Sequence, residues 1–379
     1  MTSIREVIRR RFEPVRLLAP GVFPYLSPPD DPRNFRLHLR IEADGGGLLI
    51  VNAATILHLN QTATEYAYQL VQGASDDQAA RQTAARYRVS VDQALQDYRD
   101  FVDRVDTLIN TPDLDPVTFL DFDRERPYSG LIASPYRLDC ALTYRTGPGD
   151  ENGGEELSTS EWETVIDKAW AAWIPHILFT GGEPTLRDDL IQLIAHAGAN
   201  GQVTGLSTDG HRLTDRDYLD ELLQTGLDHL LILLHPSENV DWTALQNAIL
   251  ADIYTTVHLT LTSENISQIP DQIKRLAQMG LTSISLSAAT KDMSEQVLSA
   301  RSLAANQGLT LVWDLPVPHS ELSPMEIEME GRDRPEGPGR AWLFVEPNGD
   351  VLPSQGMEPK LGNLLRDPWE KIWKPSAQA

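Results

Sequence analysis

Residues 177–187 read Ile-Leu-Phe-Thr-Gly-Gly-Glu-Pro-Thr-Leu-Arg, an apolar run that ends in two glycines, a glutamate and a proline. The apolar run predicts a buried strand, and the proline predicts the first turn of a helical segment. Two glycines between a strand and a helix let backbone N–H and C=O groups approach a ligand closely. A purely structural turn needs the same pair, so the stretch predicts a tight strand-to-helix turn at which a ligand could bind.

Apolar strands and amphipathic helices alternate on both sides of this turn. Strand starts recur at intervals of about 25 residues, which is the length of one strand–helix unit. A capping box formed by Ser160 and Glu163 is predicted to begin the first helix. A parallel sheet or partial barrel follows, in which ligands bind at the carboxyl ends of the strands. The predicted strands are Arg137–Tyr144, His176–Thr180, Val203–Ser207, His229–Leu234, Thr255–Leu261, Ser283–Ser287 and Leu309–Leu315.

The amino-terminal region has a different pattern, with strands first and helices afterwards. Residues 35–41 alternate with period two, and Gly45-Gly46-Gly47 predicts a turn into a second strand at 48–51. A third short strand is predicted at 56–59. Three helices follow, from Thr62 to about Gly73, from Ser75 to Tyr87 and from Ser90 to Ile109. We interpret this region as a small, winged-helix-like α+β domain of three strands and three helices.

Charge excludes several classes of function. The 379 residues include 32 Lys and Arg against 55 Asp and Glu, a formal net charge of −23. Such a polyanion is expected to bind nucleic acid poorly and to be repelled by anionic membranes. No apolar run approaches the roughly 20 residues of a membrane span, and no apolar core follows Arg9-Arg10-Arg11 as in a signal peptide. We therefore expect a cytoplasmic protein with neither a nucleic-acid nor a membrane partner.

The charge also shifts along the chain. Residues 1–129 contain fifteen arginines, no lysine and nineteen acidic residues, so most of the negative charge lies in the remainder. This shift, with the Pro-punctuated stretch from Asn110 to Tyr128, predicts a domain boundary. The predicted parts are a segment at 1–20, the small domain at 21–115, a linker at 116–130, the barrel at 131–316 and a carboxyl extension at 317–379.

The turn at 181–184 resembles the amino-group-binding turn of radical S-adenosylmethionine (SAM) enzymes. Residues 205–210, Gly-Leu-Ser-Thr-Asp-Gly, resemble the Thr-Asn-Gly turn of that family. Residues 134–144 and 314–319 are similar to its first and sixth barrel strands. The resemblance implies an α/β fold with a partial (β/α)6 radical-SAM-like barrel. It also implies a vestigial SAM groove formed by Gly181, Gly182, Glu183, Pro184, Ser207 and Thr208.

The flanking regions extend this resemblance. Residues 344–373 are similar to the short SPASM-like carboxyl extension of peptide-modifying members. Residues 36–109 resemble the PqqD-like peptide chaperone of pyrroloquinoline quinone biosynthesis, a RiPP recognition element. In that domain a precursor (leader) peptide adds itself to the sheet as a strand. The resemblance implies a peptide groove involving Arg36, His38, Arg40, Leu48 and Val51. A closed, purely structural domain is the alternative.

The departures from the family are what decide the functional prediction. Family members follow the first strand with a Cys-x3-Cys-x2-Cys loop that holds a [4Fe–4S] cluster, whereas the matching positions here are Thr146, Asp150 and Gly153. Hydroxyl and carboxylate oxygens are poor substitutes for thiolate on iron–sulfur iron. The single cysteine, Cys140, falls inside the predicted strand, where we expect it to be a buried hydrophobe. Ser354 stands where the extension usually carries a cysteine.

Other polar residues lie at or near predicted strand ends. One hypothesis is a replacement metal or acid–base site, and the alternative is that these side chains are solvated at the mouth of the barrel. The fourth strand has Leu233 where many members place a serine that binds the SAM carboxylate. The candidate polar residues are His211, His235, His258, Asp314 and His319.

These observations predict a cluster-less relative of the radical SAM enzymes that binds a precursor peptide, a radical SAM partner enzyme, or both. No catalytic residue is assigned, no metal or [4Fe–4S] cluster is expected, and SAM binding is left open. One alternative is a SAM- or nucleotide-binding enzyme of non-radical chemistry. Another is a radical SAM enzyme whose cluster is completed by the cysteines of a partner chain.

Overall fold

The structure is a computed structural model of the chain. It describes residues 16–28, 30–33, 35–52, 55–87, 89–111, 134–150, 154–235, 240–251, 253–313, 315–328 and 337–374. The chain divides into two compact units, Met1–Glu125 and Arg126–Ala379. The predicted linker at 116–130 lies outside the described residues and stays a prediction.

The first unit contains an antiparallel sheet with the order β1-β2-β3-β4, followed by three helices. Its apolar core lies between the helices and one face of the sheet, with Leu39, Leu49 and Phe101 among its members. The side chains of Asn60 and Ser90 cap the first and third helices. The elements are β1 (Gly21–Leu26), β2 (Arg36–Ile41), β3 (Gly47–Val51), β4 (Thr55–Leu59), α1 (Gln61–Val71), α2 (Asp76–Tyr87) and α3 (Val91–Asn110).

Strand β1 corrects the prediction of a three-stranded sheet. It pairs antiparallel with the whole of β2, from Gly21 opposite Ile41 to Leu26 opposite Arg36. Pro24 within β1 removes one backbone donor, which is tolerated because β1 is an edge strand. Strand β2 is therefore an interior strand, hydrogen-bonded to β1 on one side and to β3 on the other.

The second unit is built on a ten-stranded sheet with the order β11-β10-β9-β8-β7-β6-β5-β12-β13-β14. The eight strands from β11 to β12 in this order run parallel, and β13 and β14 continue the sheet antiparallel. The strands are β5 (Arg137–Thr143), β6 (His176–Gly181), β7 (Val203–Thr208), β8 (His229–Leu234), β9 (Tyr254–Leu261), β10 (Ser283–Ala288), β11 (Thr310–Leu311), β12 (Trp342–Val345), β13 (Asp350–Leu352) and β14 (Gly362–Asn363).

Helices connect the parallel strands, as expected for strand–helix units. Short 3₁₀ turns follow three strands at Pro184–Leu186, His211–Thr214 and Lys291–Met293. The helices are α4 (Thr159–Ala171), α5 (Leu190–Asn200), α6 (Arg216–Gln224), α7 (Trp242–Leu250), α8 (Ile269–Gln278), α9 (Ser294–Asn306), α10 (Pro324–Glu328) and α11 (Trp369–Ile372). None of the described helices has the length and apolar character needed to cross a membrane.

The two faces of this sheet differ in chemistry. Apolar strand residues such as Phe179, Ile232 and Leu259 pack with the helices in one large core. Because successive strand residues point to opposite faces, their neighbours lie on the other side, which we call the inner face. The inner-face residues of β9 and β10 are mostly serine, threonine or histidine, as is Ser207 of β7, and all of these polar residues except Thr260 are buried. The candidate site lies beside this face, in the turns at the carboxyl ends of the strands.

The α/β fold class is confirmed, and the differences are local. The first six predicted strands of this unit agree with the structure to within one residue at each end. The seventh, predicted at Leu309–Leu315, is only two residues long, and Asp314 lies outside the described residues. The capping box at the start of α4 is formed by Ser158 and Glu161 rather than Ser160 and Glu163, so the helix begins earlier.

Candidate functional site

The turn after β6 is built by close approach of two backbone segments. Gly181 has φ of +131°, and a Cβ atom placed there would lie 2.2 Å from the carbonyl oxygen of Thr143. The N–H of Gly182 donates to that oxygen at 2.7 Å, and the N–H of Glu183 donates to the carbonyl of Arg145 at 2.7 Å. Both glycines are therefore required by the contact between this turn and the end of β5.

Glu183 links the turns after β6 and β7. Its carboxylate accepts hydrogen bonds from the Thr208 hydroxyl at 2.9 and 3.0 Å, from the Asp209 N–H at 2.7 Å and from the Thr185 N–H at 2.9 Å. The side chain is buried, and this burial, with the nearby Asp209 carboxylate, raises the pKa of Glu183 to about 7. A buried carboxyl with this pKa changes charge within the physiological range.

The turn after β7 is closed by its own side chains. The Asp209 carboxylate accepts the N–H of His211 at 2.8 Å, and the N–H of Gly210 donates to the Thr208 hydroxyl at 3.1 Å. Arg212 donates to the carbonyl of Thr185, and its guanidinium lies 4.0 Å from the ring centre of Tyr218. The structure thus brings the predicted residues Glu183 and Thr208 into direct contact.

The loop after β5 has the position of the cluster-binding loop but different chemistry. The N–H and hydroxyl of Thr146 lie 3.2 and 3.4 Å from one carboxylate oxygen of Asp150. Gly153 lies outside the described residues. Cys140 lies within β5, fully buried in the large core, and burial raises its thiol pKa well above the usual value. The residues described at this position do not fit a [4Fe–4S] cluster, because none of them supplies a thiolate.

Ion pairs that the sequence gave no reason to expect lie beside this loop. Arg187 is buried and donates to Asp189 at 2.8 and 2.7 Å, to Glu156 at 3.3 Å and to the carbonyls of Leu142 and Leu157. Glu156 also accepts the hydroxyl of Thr143 and pairs with Arg145 at 3.4 Å. These charges connect the end of β5 with the turn after β6. A partner 31 residues away along the chain leaves no periodic signal, so sequence reasoning missed them.

The four histidines among the other polar candidates form no metal-binding group, and Asp314 lies outside the described residues. His258 is buried on the inner face of β9, where burial lowers its pKa to about 3. His211 lies in the turn after β7, whereas His235 and His319 are exposed in loops. Within the described residues, no group of three or more His, Cys, Asp or Glu side chains is placed to hold a metal ion. Leu233 lies at the end of β8, opposite His258 in register.

The carboxyl-terminal strands contain a polar centre formed by Asp350 and Asn363. The Asn363 amide donates to the Asp350 carboxylate at 2.8 Å and to the Asn348 carbonyl at 3.1 Å. Lys360 pairs with Asp350 at 2.5 Å. Tyr144, which follows β5, donates to Glu346 at 2.7 Å, so a hydrogen bond joins this region to the start of the loop after β5.

The predicted peptide groove in the first unit falls on interior strands. Arg36, His38 and Arg40 lie on β2, and Leu48 and Val51 lie on β3. Four of the five side chains are buried, Arg40 being only 1% exposed, and its guanidinium pairs with Glu42 at 2.8 Å. Since β1 occupies the outer side of β2, a peptide cannot pair with β2 in this conformation. The unpaired edges of the described sheet belong to β1 and β4.

A family model matches part of the second unit of the chain. Residues 140–239 match the family model of the Radical SAM superfamily. The matched segment begins in β5 and includes both turns around Glu183. The family match therefore covers the segment that carries the candidate site.

Curated relatives include two proteins named PqqA peptide cyclase. The one from Bradyrhizobium diazoefficiens is 31% identical over 163 residues, which are 39% of this chain and 43% of that protein. The one from Rhodopseudomonas palustris is 36% identical over 113 residues, 30% of each chain. The matches span less than half the length of these relatives. Their printed name describes them as cyclases of the PqqA peptide.

Solved structures with a similar fold include SuiB of Streptococcus suis. The form bound to S-adenosylmethionine has a TM-score of 0.57 at 14% identity, covering 92% of this chain and 88% of SuiB. The form bound to the precursor peptide SuiA has a TM-score of 0.56 at 12% identity, with the same coverage. At this level of identity the similarity establishes the fold alone.

Proposed function

We propose that this chain is a relative of the radical SAM peptide-modifying enzymes that holds no [4Fe–4S] cluster and acts by binding a precursor peptide. In this role it would present the peptide to a radical SAM partner enzyme or select the peptide for it. The observation that carries the proposal is the loop after β5. Thr146 and Asp150 are bonded to each other there, and Cys140 is buried in the core.

The proposed loss of the cluster rests on ligand chemistry. A radical SAM cluster needs three thiolates on one loop, and the chain has one cysteine in all 379 residues. That thiol points into the core shared with the helices, so it is no ligand for iron at the carboxyl edge. SAM would lose its iron anchor, and the remaining contacts would come from Gly181, Gly182, Glu183, Pro184, Ser207 and Thr208.

Peptide binding is proposed for the edge of β4. An added strand needs a row of unpaired backbone groups, and β4 pairs only with β3 among the described strands. Pro24 makes the β1 edge the poorer template, because proline lacks an N–H. Ile56 on β4 is 42% exposed and offers an apolar contact for the incoming strand. The relatives' peptide substrates support this proposal.

The cluster part is tested by anaerobic reconstitution with iron and sulfide, followed by metal analysis and a visible spectrum. We expect no stoichiometric iron in the natural chain. The matched control is the triple variant Thr146→Cys, Asp150→Cys and Gly153→Cys, which restores the Cys-x3-Cys-x2-Cys spacing. We expect it to take up iron toward about four per chain with a cluster absorption band. Iron near four in the natural chain would refute the proposal.

The peptide part is tested by selection from a display library of random 20-residue peptides on the full chain. We expect enriched peptides to lose binding to the variant Ile56→Pro, which removes a backbone donor on the β4 edge. The matched control Val22→Pro alters β1 instead and should retain binding. Equal loss in both variants would place the peptide elsewhere.

A second candidate function is SAM or nucleotide binding in non-radical chemistry. The intact turn around Gly181 and Glu183 favours it. Calorimetry of the iron-free chain with SAM distinguishes the two, since binding heat without iron would support this second function. Iron that appears only in a co-purified complex would instead indicate a cluster completed by a partner's cysteines.

A further inference from the structure

Strands β9 and β10 carry matched polar residues on the inner face of the sheet. Residues 256–260 read Thr-Val-His-Leu-Thr and residues 283–287 read Ser-Ile-Ser-Leu-Ser. The apolar members pack in the helix-covered core, so the polar members share the inner face. The register sets them opposite one another in three pairs, namely Thr256 with Ser283, His258 with Ser285, and Thr260 with Ser287. We call these six residues the polar ladder.

Hydrogen bonds join the ladder pair by pair. The hydroxyls of Thr256 and Ser283 are 2.6 Å apart. Nδ1 of His258 lies 3.1 Å from the Ser285 hydroxyl, and its Nε2 lies 3.1 Å from the hydroxyls of both Thr260 and Ser287. The ladder is buried except at Thr260, which is partly exposed near the carboxyl end of β9. That residue marks the side from which a ligand would reach the ladder.

Ser207 on β7 shares the inner face, and its buried hydroxyl makes no hydrogen bond to the described residues. Its side chain is 2% exposed, and its hydroxyl has no partner among the described residues. The register places Ser207 opposite Leu231 of β8, which in turn lies opposite Thr256. A buried hydroxyl without a partner is unfavourable, so such a group in a native protein calls for a ligand or water.

The described inner-face residues from β7 to β10 carry no charge at neutral pH. Their histidines are His229 and His258. Burial lowers the two pKa values to about 4 and about 3, and the Arg137 charge adds to the shift at His229. Leu231 and Leu233 of β8 share the inner face, and the register places them between β7 and the ladder residues of β9. A carboxylate or ammonium placed against these four strands would meet no opposite charge on their inner-face residues, and burying it there would be unfavourable.

We propose that Ser207 and the polar ladder form a specificity pocket that accepts an uncharged hydrogen-bonding side chain of the bound peptide, a hydroxyl or a carboxamide. Hydroxyl groups act as donor and acceptor in turn, and Thr260 and Ser287 can rotate to suit either ligand group. This inference rests on the proposed peptide binding but concerns a different surface from the β4 edge.

The test uses small amides that share one backbone and differ in the side chain. Saturation-transfer NMR with the purified full chain compares the N-acetyl amides of serine and asparagine with those of aspartate and lysine. Asparagine and aspartate have nearly the same shape, so their comparison isolates charge. We expect at least a fivefold larger transfer to the two neutral probes. Equal transfer to all four, or none to any, would overturn the pocket.

The variant Ser207→Ala separates a ligand-facing hydroxyl from a structural one. Removing an unpaired buried hydroxyl should raise Tm by about 2 °C and reduce transfer to the serine probe at least fivefold. The matched control Ser302→Ala removes an exposed hydroxyl on α9 and should change neither. A lower Tm with unchanged transfer would assign Ser207 a structural role and refute the proposal. Neither readout depends on iron or on the β4 edge, so failure here leaves the proposed function to its own tests.

Discussion

The loop after β5 and the turn after β6 meet at the same edge of one sheet but differ in what their residues do. The turn matches the radical SAM family in sequence, whereas the loop lacks the family's cysteines. In the turn, Gly181 and Gly182 are needed for contact with the end of β5, and Glu183 joins two turns. In the loop, the Asp150 carboxylate accepts from Thr146, and the Asp150 N–H donates to the carbonyl of Gly147 at 3.2 Å.

Under the proposed loss of the cluster, this difference indicates which residues would be retained. A cluster-binding cysteine serves only to hold iron, so nothing else in the fold would retain it in a chain without a cluster. The glycines and Glu183 would be retained for folding whether or not SAM binds, because they hold backbone segments together. The intact turn is therefore weak evidence for SAM binding, and the altered loop is stronger evidence against a cluster. Three predictions test this asymmetry.

The largest effect is expected at Gly181. The variant Gly181→Ala places a Cβ 2.2 Å from the Thr143 carbonyl oxygen and imposes φ of +131° on alanine. We expect a loss of about 3–5 kcal/mol in the free energy of unfolding, measured by urea denaturation. The control Gly147→Ala lies in the loop after β5, where an added Cβ would have no neighbouring atom within 4 Å. Its free energy of unfolding should stay within about 0.5 kcal/mol of the natural chain. Similar losses in both variants would contradict the asymmetry.

The next effect concerns the pH dependence of stability at Glu183. Its pKa rises from about 4.5 to about 7 on folding. Between these values the native state holds a proton that the unfolded chain has released, so the free energy of unfolding falls as pH increases. The full contribution, about 3 kcal/mol, is present below pH 4.5 and lost as pH passes 7.

Urea denaturation from pH 5 to 8 measures this slope. The variant Glu183→Gln cannot titrate and should lose that part of the slope, whatever its absolute stability. The control Glu370→Gln, on α11, should keep it. If the slope survives in Glu183→Gln, another group is responsible, and Glu183 is not the residue whose burial couples the two turns to pH.

The sequence predicted the elements with regular patterns and missed those without them. The alternation of apolar strands and helices, with Gly closing several helices, located six strands of the second unit. Strand β1 was missed because Pro24 interrupts its pattern. Since β1 pairs with β2, the free edge of the first sheet on that side belongs to β1 rather than to β2. The predicted strand at 309–315 is shorter than expected: the register with β10 ends at Leu311, and beyond it the Val312 N–H donates to the Ile284 carbonyl at 2.9 Å.

The site was predictable only where a motif carried it. Glu183 and Thr208 stand in recognisable turns, and their contact follows from the adjacency of β6 and β7. The pairing of Arg187 with Glu156 depends on how two loops meet, which no local pattern encodes. The polar ladder had a signal, the Thr-x-His-x-Thr and Ser-x-Ser-x-Ser alternation, but its meaning required knowing that β9 and β10 are neighbours in register.

The smallest effect is expected at Cys140, and it concerns what the remaining thiol does. The side chain is fully buried in the core and its pKa is raised by burial, so it should behave as a small apolar group. The variant Cys140→Ala should lose about 1–2 kcal/mol of stability through the small cavity, whereas Thr146→Ala in the loop should stay within about 0.5 kcal/mol. The native thiol should resist a disulfide reagent until the chain unfolds, because the thiolate is the reactive form. Rapid reaction in the folded state would show that Cys140 reaches the carboxyl edge, and the loop would then regain a potential metal ligand.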